Sequence, residues 1–223
     1  MAASTAALRG ITKQYKNFTL GPVDMTVPAG SIVGLIGENG AGKTTLLKIL
    51  CGVNRADDGT VDLLGGSPAD AATRAKIGVV FEDAFFYESF TAAQVAHSLA
   101  GMYGARWNAD SFSAYLRRFG LDAGKKLKEY SRGMRLKLSL AAALAHDPEL
   151  LVLDEACAAC KNDLVEEALL REAAARAEQG AEVVLTGRDP AAWMQDAADY
   201  STELRAVKHP YTRGIAAREG VEY

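Results

Sequence analysis

The sequence predicts an α/β fold in which a mainly parallel sheet is interrupted by a helical insertion. Four short apolar runs bounded by turn residues are typical of strands buried on both faces of such a sheet: residues 31–37, 76–81, 149–154 and 181–187. Helical patterns over 43–53 and 163–179 connect these runs, and Gly180 suits the position after the second helix. Residues 88–146 contain amphipathic stretches and no convincing strand, so we interpret them as the insertion.

Composition excludes several classes of protein. The chain has 223 residues, of which 49% are apolar, enough for a substantial core. A net charge of −3 offers no basic face for nucleic acid, so we expect no nucleic-acid partner. The start, "MAASTAALRG", does not resemble a signal peptide, and no apolar run approaches the ~18 residues of a membrane span. Three cysteines are too few for a secreted disulfide scaffold, which predicts a cytoplasmic protein.

The first apolar run leads into the phosphate-binding motif G-x-x-x-x-G-K-[ST]. Its residues are Gly37, Glu38, Asn39, Gly40, Ala41, Gly42, Lys43, Thr44 and Thr45. Glycines permit positive φ, so that backbone N–H groups converge on phosphate oxygens at the start of a helix. Lys43 is expected to contact the β and γ phosphates from a position exposed in the empty loop, and Thr44 to ligate Mg²⁺. The motif predicts a nucleoside triphosphate site.

The third apolar run ends in two acids, Asp154 and Glu155. An aspartate at the end of a buried strand can hold Mg²⁺ through water, and an adjacent glutamate can deprotonate the attacking water. Many buried strands end in an acid, so the pair carries weight because it accompanies the phosphate loop. We predict that Asp154 is a metal ligand and Glu155 the catalytic base.

The stretch "EYSRGMRLKLSLAAALAHDPELLVLDE" closely resembles the signature region of ABC ATPases. Tyr130-Ser131-Arg132-Gly133-Met134 is similar to the Y-S-x-G-M form found in ATPase subunits of ABC-2-type transporters. The resemblance covers nearly the whole chain and implies one ABC ATPase domain over residues 1–223. Within it, residues 1–87 and 147–223 would form a P-loop NTPase core with an N-terminal antiparallel β portion, and 88–146 an inserted helical subdomain.

The resemblance also implies further contacts with ATP and Mg²⁺. Tyr15 matches the aromatic residue that stacks on adenine, although alone it is an ordinary edge-strand aromatic. Glu82 occupies the usual glutamine position of the Q-loop, where a carboxylate could still meet Mg²⁺ through water. In this family ATP lies between two head-to-tail subunits, so Ser131 and Gly133 would contact the nucleotide bound to the other subunit.

The resemblance implies partners as well. These are membrane (permease) subunits, which would hold the chain on the inner face of the cell membrane, and a second nucleotide-binding subunit in a homodimer or heterodimer. A coupling helix of the membrane partner would dock near three aromatic residues at the start of the insertion, Phe85, Phe86 and Tyr87. Core packing is the alternative interpretation of these side chains.

Two positions depart from the family's pattern. Lys161 replaces the aspartate of the usual P-T-S-G-L-D-P run when that run is aligned without gaps; with one extra residue, Asn162 or Asp163 takes the place. Arg188 replaces the switch histidine. It is either a solvated loop charge or a catalytic guanidinium at the γ-phosphate. Asp189 and Pro190 are expected to start the next helix, as N-cap and first-turn proline.

Cys157 and Cys160 form a C-x-x-C pair directly after the two acids. A structural zinc site requires four ligands, which the remaining cysteine and three histidines do not supply at suitable spacing. A redox pair would need a thiol of low pKa at the start of the following helix. The third interpretation, small apolar side chains that fill space in a divergent loop, is the one we adopt.

We therefore predict an ATP-hydrolysing subunit of an ABC exporter. One alternative is a degenerate subunit that hydrolyses ATP slowly beside a competent partner, which Lys161 and Arg188 favour. Another is an ABC ATPase of translation or DNA repair, which tandem modules or long coiled coils would indicate; this chain has neither.

Overall fold

The computed structural model describes residues 4–82 and 86–205, which form two sheets. Along these residues the strands are β1 (Ser4–Tyr15), β2 (Phe18–Pro28), β3 (Ile32–Gly37), β4 (Asp58–Leu63), β5 (Ile77–Val80), β6 (Leu150–Leu153), β7 (Glu182–Gly187) and β8 (Tyr200–Leu204). The larger sheet is parallel in the order β5-β6-β7-β3-β8. The smaller is antiparallel in the order β2-β1-β4. The predicted parallel sheet and N-terminal antiparallel portion are thus confirmed.

Helices connect the strands of the parallel sheet. In the described part of the chain they are α1 (Lys43–Leu50), α2 (Ala71–Arg74), α3 (Ala92–Tyr103), α4 (Ala109–Arg118), α5 (Arg132–Ala145), α6 (Ala156–Lys161), α7 (Glu167–Ala174) and α8 (Ala192–Ala197). Side chains cap several of them: Thr91 forms a capping box with Gln94 at α3, and Asn108 accepts from the Ser111 N–H at α4. The segment between β5 and β6 contains α3, α4 and α5, in agreement with the helical pattern of the sequence.

The parallel sheet separates two apolar cores. Val183 and Leu185 of β7 pack with the helices of the insertion, whereas Val184, between them, packs with β1, β2 and α1. Because successive side chains of a strand point to opposite faces, a strand covered on both faces is expected to be apolar at nearly every position. This accounts for the continuous apolar runs that predicted the strands.

Helix α5 lies along β5 and is fixed to it at one end. His146, directly after α5, is 1% exposed, and its ring nitrogens lie 3.0 Å from the Ile77 carbonyl oxygen and 3.2 Å from that of Ala142. Burial lowers the pKa of His146, so the imidazole is neutral at physiological pH. The opposite end of α5 begins at Arg132, beside the carboxyl edge of the sheet.

The structure corrects three local predictions. The helix expected over 163–179 begins at Glu167 and continues as a 3₁₀ turn, Ala175–Gln179, before Gly180 with φ 94°. The segment after Glu155 is helix α6 rather than a loop. Asp189 is not an N-cap: it has φ 53°, and α8 begins two residues after Pro190 with Ala191 as its N-cap. Short helices without a clear apolar period cannot be predicted from the spacing of apolar residues.

Among the described residues, no helix is both long enough and apolar enough to span a bilayer.

Candidate nucleotide-binding site

The phosphate-loop motif lies between β3 and α1, as the sequence predicts. The loop closes with a hydrogen bond of 3.2 Å from the Ala41 N–H to the Glu38 carbonyl oxygen. Gly42 precedes α1 with φ 102°, and a Cβ at this position would lie 2.7 Å from Cδ1 of Leu20. The left-handed backbone and the close approach of β2 both require glycine here. Glu38, Asn39 and Gly40 form the exposed rim of the loop.

Lys43 is folded into the loop, so the prediction of an exposed side chain at this position is wrong. Its side chain is 4% exposed, and Nζ donates to the carbonyl oxygens of Gly37 at 2.9 Å and Glu38 at 3.2 Å. Nζ also lies 3.3 Å from Oε1 of Glu155. A buried ammonium group requires acceptors on all sides, and protein oxygens supply them here. An incoming phosphate would therefore replace contacts that Lys43 already makes.

Asp154 lies at the carboxyl end of β6 and faces two hydroxyl groups. Oδ1 accepts from Oγ1 of Thr186 at 2.8 Å and from Oγ1 of Thr44 at 3.3 Å, and the residue is 5% exposed. Burial raises the pKa of Asp154, and the two hydroxyl donors offset this only in part. A buried carboxylate whose charge is incompletely compensated, next to a second oxygen ligand, suits a hard divalent cation such as Mg²⁺.

Thr186 is a site residue that the sequence analysis missed. Its hydroxyl donates to Asp154 and accepts from the Glu155 N–H at 2.9 Å, so it orients both acids of the pair. Glu155 itself has a left-handed backbone, with φ 52°. Its side chain is 17% exposed, and its carboxylate lies beside Nζ of Lys43. The sequence feature that could have indicated Thr186 is its position inside the apolar run "VVLTG". A hydroxyl in a fully buried strand requires hydrogen-bond partners, and these are here the two acids.

The turn between β1 and β2 brings aromatic rings to the phosphate loop. Tyr15 is 40% exposed, stacks on Phe18 with centroids 6.3 Å apart, and accepts a hydrogen bond of 3.3 Å from Asn54 beyond α1. Phe18 lies closer to the loop, since a Cβ on Gly42 would be 3.0 Å from its ring. Tyr15 is thus partly accessible, and Nζ of Lys13 lies over its ring, 5.9 Å from the centroid. Phe18 is a neighbour that the motif analysis did not single out.

Ser131 and Gly133 line a different surface. They border a cavity of about 430 Å³ with Asp163 and Leu164, and no residue of the phosphate loop lines it. Oγ of Ser131 caps α5 by accepting from the Met134 N–H at 3.2 Å, which leaves its own O–H free to donate. Gly133 is needed for close approach, since a Cβ would lie 2.4 Å from the Leu164 carbonyl oxygen.

The two departures from the family's pattern meet at one carboxylate. Lys161 Nζ lies 3.3 Å from Oδ2 of Asp189, and Nε of Arg188 lies 3.6 Å from the same oxygen. All three side chains are more than half exposed. Asp163, by contrast, lines the cavity beside Ser131, while Lys161 is directed to Asp189. This pairing links the end of α6 to the segment after β7.

Cys157, the first residue of the cysteine pair, has the environment of a buried packing residue and not of a reactive thiol. Cys157 is buried directly against Gly187: a Cβ added to Gly187 would lie 2.4 Å from the Cβ of Cys157. Burial raises the pKa of the Cys157 thiol to about 11, the opposite of what a reactive thiolate needs. Among the described residues no group of three or more His, Cys, Asp or Glu side chains could hold a metal ion. Cys157 therefore acts as packing, as we interpreted it.

Of the other predicted residues, Glu82 follows β5 and forms an ion pair with Arg132. Phe86 is half-buried against the helical core, and Tyr87 is 74% exposed with its ring 5.2 Å from that of Phe90. Phe85 lies outside the described residues. Thr45 is the third residue of α1 and is half-buried.

Comparison with known proteins gives two family models and a set of similar ABC transporter ATP-binding proteins. Residues 20–158 match the family model described as ABC transporter. A second model, ATP:corrinoid adenosyltransferase BtuR/CobO/CobP, matches residues 108–223, a stretch that begins after the phosphate loop.

The bacitracin transport ATP-binding protein BcrA of Enterococcus faecalis is 37% identical over 65% of this chain and 48% of its own length. The daunorubicin resistance ATP-binding protein DrrA3 of Streptomyces coeruleorubidus is 35% identical over 70% of this chain and 51% of its own length. The chain thus spans about half the length of the curated relatives it matches.

Solved structures show the same fold. One, an ATP-binding subunit of an ABC transporter, superposes with a TM-score of 0.78 at 22% identity, covering 96% of this chain and 95% of that one. Another is a dimeric ATP-binding cassette in a post-hydrolysis state with ADP and Pi. It has a TM-score of 0.75 at 21% identity and covers 91% and 97% of the two chains. At these identities the likeness establishes the fold: a P-loop NTPase core of parallel sheet with an antiparallel portion.

Proposed function

Because this chain belongs to the ABC transporter family of ATP-binding proteins, we propose that it binds Mg-ATP at the phosphate loop and hydrolyses it to power export through separate membrane subunits. The observation that carries the proposal is the convergence of four side chains from three elements: Lys43 and Thr44 on α1, Asp154 after β6, and Glu155 before α6. Such a set can hold a triphosphate and activate water against it.

Each of these side chains has a separate task. Lys43 exchanges the carboxylate of Glu155 for the β and γ phosphates, and the displaced carboxylate is then free to accept a proton from the attacking water. Thr44 and Asp154 would hold Mg²⁺, which would neutralise phosphate charge. Tyr15 stacks on the base. Glu82 would reach the metal through water.

We infer that the working unit is a dimer. The free O–H of Ser131, the Gly133 backbone and the surrounding cavity offer donors at a helix start, a suitable place for the γ-phosphate of a nucleotide held by a second chain. A dimeric cassette with ADP and Pi among the structures of the same fold supports this arrangement. The partner is a second copy or a related subunit, and we propose that residues 1–87 and 147–223 form the core and 88–146 the helical subdomain.

Coupling to the membrane is proposed from the relatives. BcrA is named for bacitracin transport and DrrA3 for daunorubicin resistance, which supports export by membrane (permease) subunits. The exposed ring of Tyr87 and the neighbouring Phe86 supply an apolar contact for such a partner at the inner face of the membrane. A cytoplasmic location follows from the same proposal.

Phosphate release from Mg-ATP by the purified chain tests the proposal. Because each complete site needs Ser131 and Gly133 of a second chain, specific activity should rise with protein concentration and then level off. Turnover should disappear when EDTA removes Mg²⁺. A chain that releases no phosphate at any concentration, or one whose specific activity is independent of concentration, would contradict the proposed dimeric ATPase.

The departures at Lys161 and Arg188 favour slow turnover, and restoring the family's residues tests this. Arg188 faces Asp189 at the surface, so a guanidinium at the γ-phosphate would first have to leave that carboxylate. We expect the double substitution Arg188→His, Lys161→Asp to raise kcat about ten-fold, which corresponds to roughly 1.4 kcal/mol of barrier. Steady-state phosphate release at saturating Mg-ATP measures it. If Arg188→His alone slows a fast wild type, Arg188 is a working catalytic residue and the slow-turnover interpretation is wrong.

A further inference from the structure

The signature end of α5 is held very differently from its other end. At its C-terminal end the buried His146 fixes the helix to β5 through the Ile77 carbonyl oxygen. At its N-terminal end Ser131 and Arg132 are exposed. Two backbone hydrogen bonds, of 2.8 and 2.9 Å, join the turn before α5 to the segment after β5, and α5 itself reaches that segment through ion pairs. Charge interactions at the surface are therefore one of the contacts that set the position of the signature residues.

One of these ion pairs includes Glu82, the residue proposed above to reach Mg²⁺ through water. Glu82 lies two residues beyond Val80, whose carbonyl oxygen accepts from the Asp154 N–H at 2.8 Å, so it extends from the strand next to the catalytic acids. Its carboxylate pairs with the guanidinium of Arg132, between Ser131 and Gly133. A second pair, Glu88 with Arg135 at 3.2 Å, joins the same two segments farther along α5.

We propose that Arg132 is a positioning residue, which couples Glu82 at one nucleotide site to the orientation of Ser131 and Gly133 at the other. The inference rests on the proposed function, because it concerns the same Mg-ATP reaction. A glutamine at position 82 could not form this charge pair, and the glutamate makes Arg132 its direct electrostatic partner. The pair thus connects the carboxyl edge of the sheet to the surface that faces the second chain.

The expected consequence separates turnover from binding. The chain's own nucleotide is held by Lys43 and the phosphate loop, which do not contact Arg132. Ser131 and Gly133 act on the nucleotide of the other subunit. Loss of the pair should therefore lower kcat and leave the KM for Mg-ATP nearly unchanged, whereas general unfolding of the region would change both.

A double-mutant cycle tests the coupling. Glu82→Gln keeps the length and an acceptor oxygen and removes the charge; Arg132→Gln removes the charge on the other side. Arg132→Gln should lower kcat about five-fold, the upper range for an exposed ion pair, with KM within about two-fold. Glu82→Gln also removes the proposed water-mediated contact with Mg²⁺, so it should lower kcat by at least the same factor. The double variant should be no slower than the slower single variant, and Arg132→Lys should retain most of the activity. High salt should reduce the difference between wild type and Arg132→Gln, since exposed charges are screened.

The second ion pair supplies a matched control. Glu88→Gln breaks a pair between the same segments without touching the nucleotide site, and its kcat should stay within about two-fold of wild type. If the fold decrease in kcat of the double variant equals the product of the two single decreases, the two residues act independently and the proposal is wrong. A wild-type kcat in Arg132→Gln would also overturn it.

Hydrogen exchange of the nucleotide-free chain separates this proposal from the proposed ATPase function. Residues 131–136 should exchange faster in Arg132→Gln and in Glu82→Gln than in the wild type. The double variant should exchange no faster than the faster of the two single variants. Unchanged protection would overturn the coupling even in a chain without turnover. A wild type with no phosphate release but the expected exchange pattern would contradict the ATPase and retain the coupling.

Discussion

Lys43→Ala should abolish measurable ATP binding while the chain remains folded. Lys43 supplies the ammonium group of the phosphate loop and is already directed into it, 2.9 Å from the Gly37 carbonyl oxygen. Two charge-assisted hydrogen bonds to phosphate contribute about 3 kcal/mol or more, so affinity should fall by at least roughly 100-fold. Isothermal titration calorimetry with Mg-ATP measures the loss.

The matched control is Lys48→Ala, five residues farther along the same helix. Lys48 lies over the Phe81 ring at 5.9 Å and is not part of the motif, so its removal should leave affinity within about three-fold of wild type. Thermal unfolding should show that Lys43→Ala is folded, since the Glu155 carboxylate retains access to water when its partner is removed. Wild-type affinity in Lys43→Ala would contradict the assignment of the phosphate site.

The fold could be predicted from the sequence because burial on both faces leaves a clear pattern. Runs such as "LLVL" (150–153) are apolar at every position because alternate residues enter two separate cores. Helix α6 left no such pattern: it has six residues, small side chains and an αL residue, Glu155, before it. Its packing on Gly187 through Cys157 is a tertiary contact, which local sequence does not reveal.

The candidate site was predictable where a motif fixes both spacing and setting. The phosphate loop and the two acids met as expected because parallel strands present their carboxyl ends at one edge. The burial of Lys43 was not predictable, since it depends on Glu155, 112 residues away, and on two carbonyl oxygens. The pairing of Glu82 with Arg132 depends in the same way on how α5 lies beside β5.

Glu155→Gln should stop hydrolysis and leave ATP binding intact or stronger. The substitution keeps the shape of the side chain and removes the carboxylate that would accept the proton of the attacking water. Loss of a general base lowers turnover by about 10²–10⁴-fold. Binding should not weaken, because the Glu155 carboxylate, 3.3 Å from Lys43 Nζ, would compete with phosphate for that ammonium group, and a neutral amide would compete less. Phosphate release and calorimetry on the same preparation measure the two effects.

The control for this substitution is Glu149→Gln, at the opposite end of the same strand. Glu149 forms ion pairs with Lys76 at 3.4 Å and Arg106 at 3.2 Å, away from the phosphate loop, so its removal should leave turnover unchanged. If the chain pairs with a second copy, Glu155→Gln should also accumulate as an ATP-bound dimer on size exclusion, because closure precedes the blocked step. Unchanged turnover in Glu155→Gln would show that another group accepts the proton. Loss of binding together with turnover would show that the carboxylate holds Lys43 in place and does not act on water.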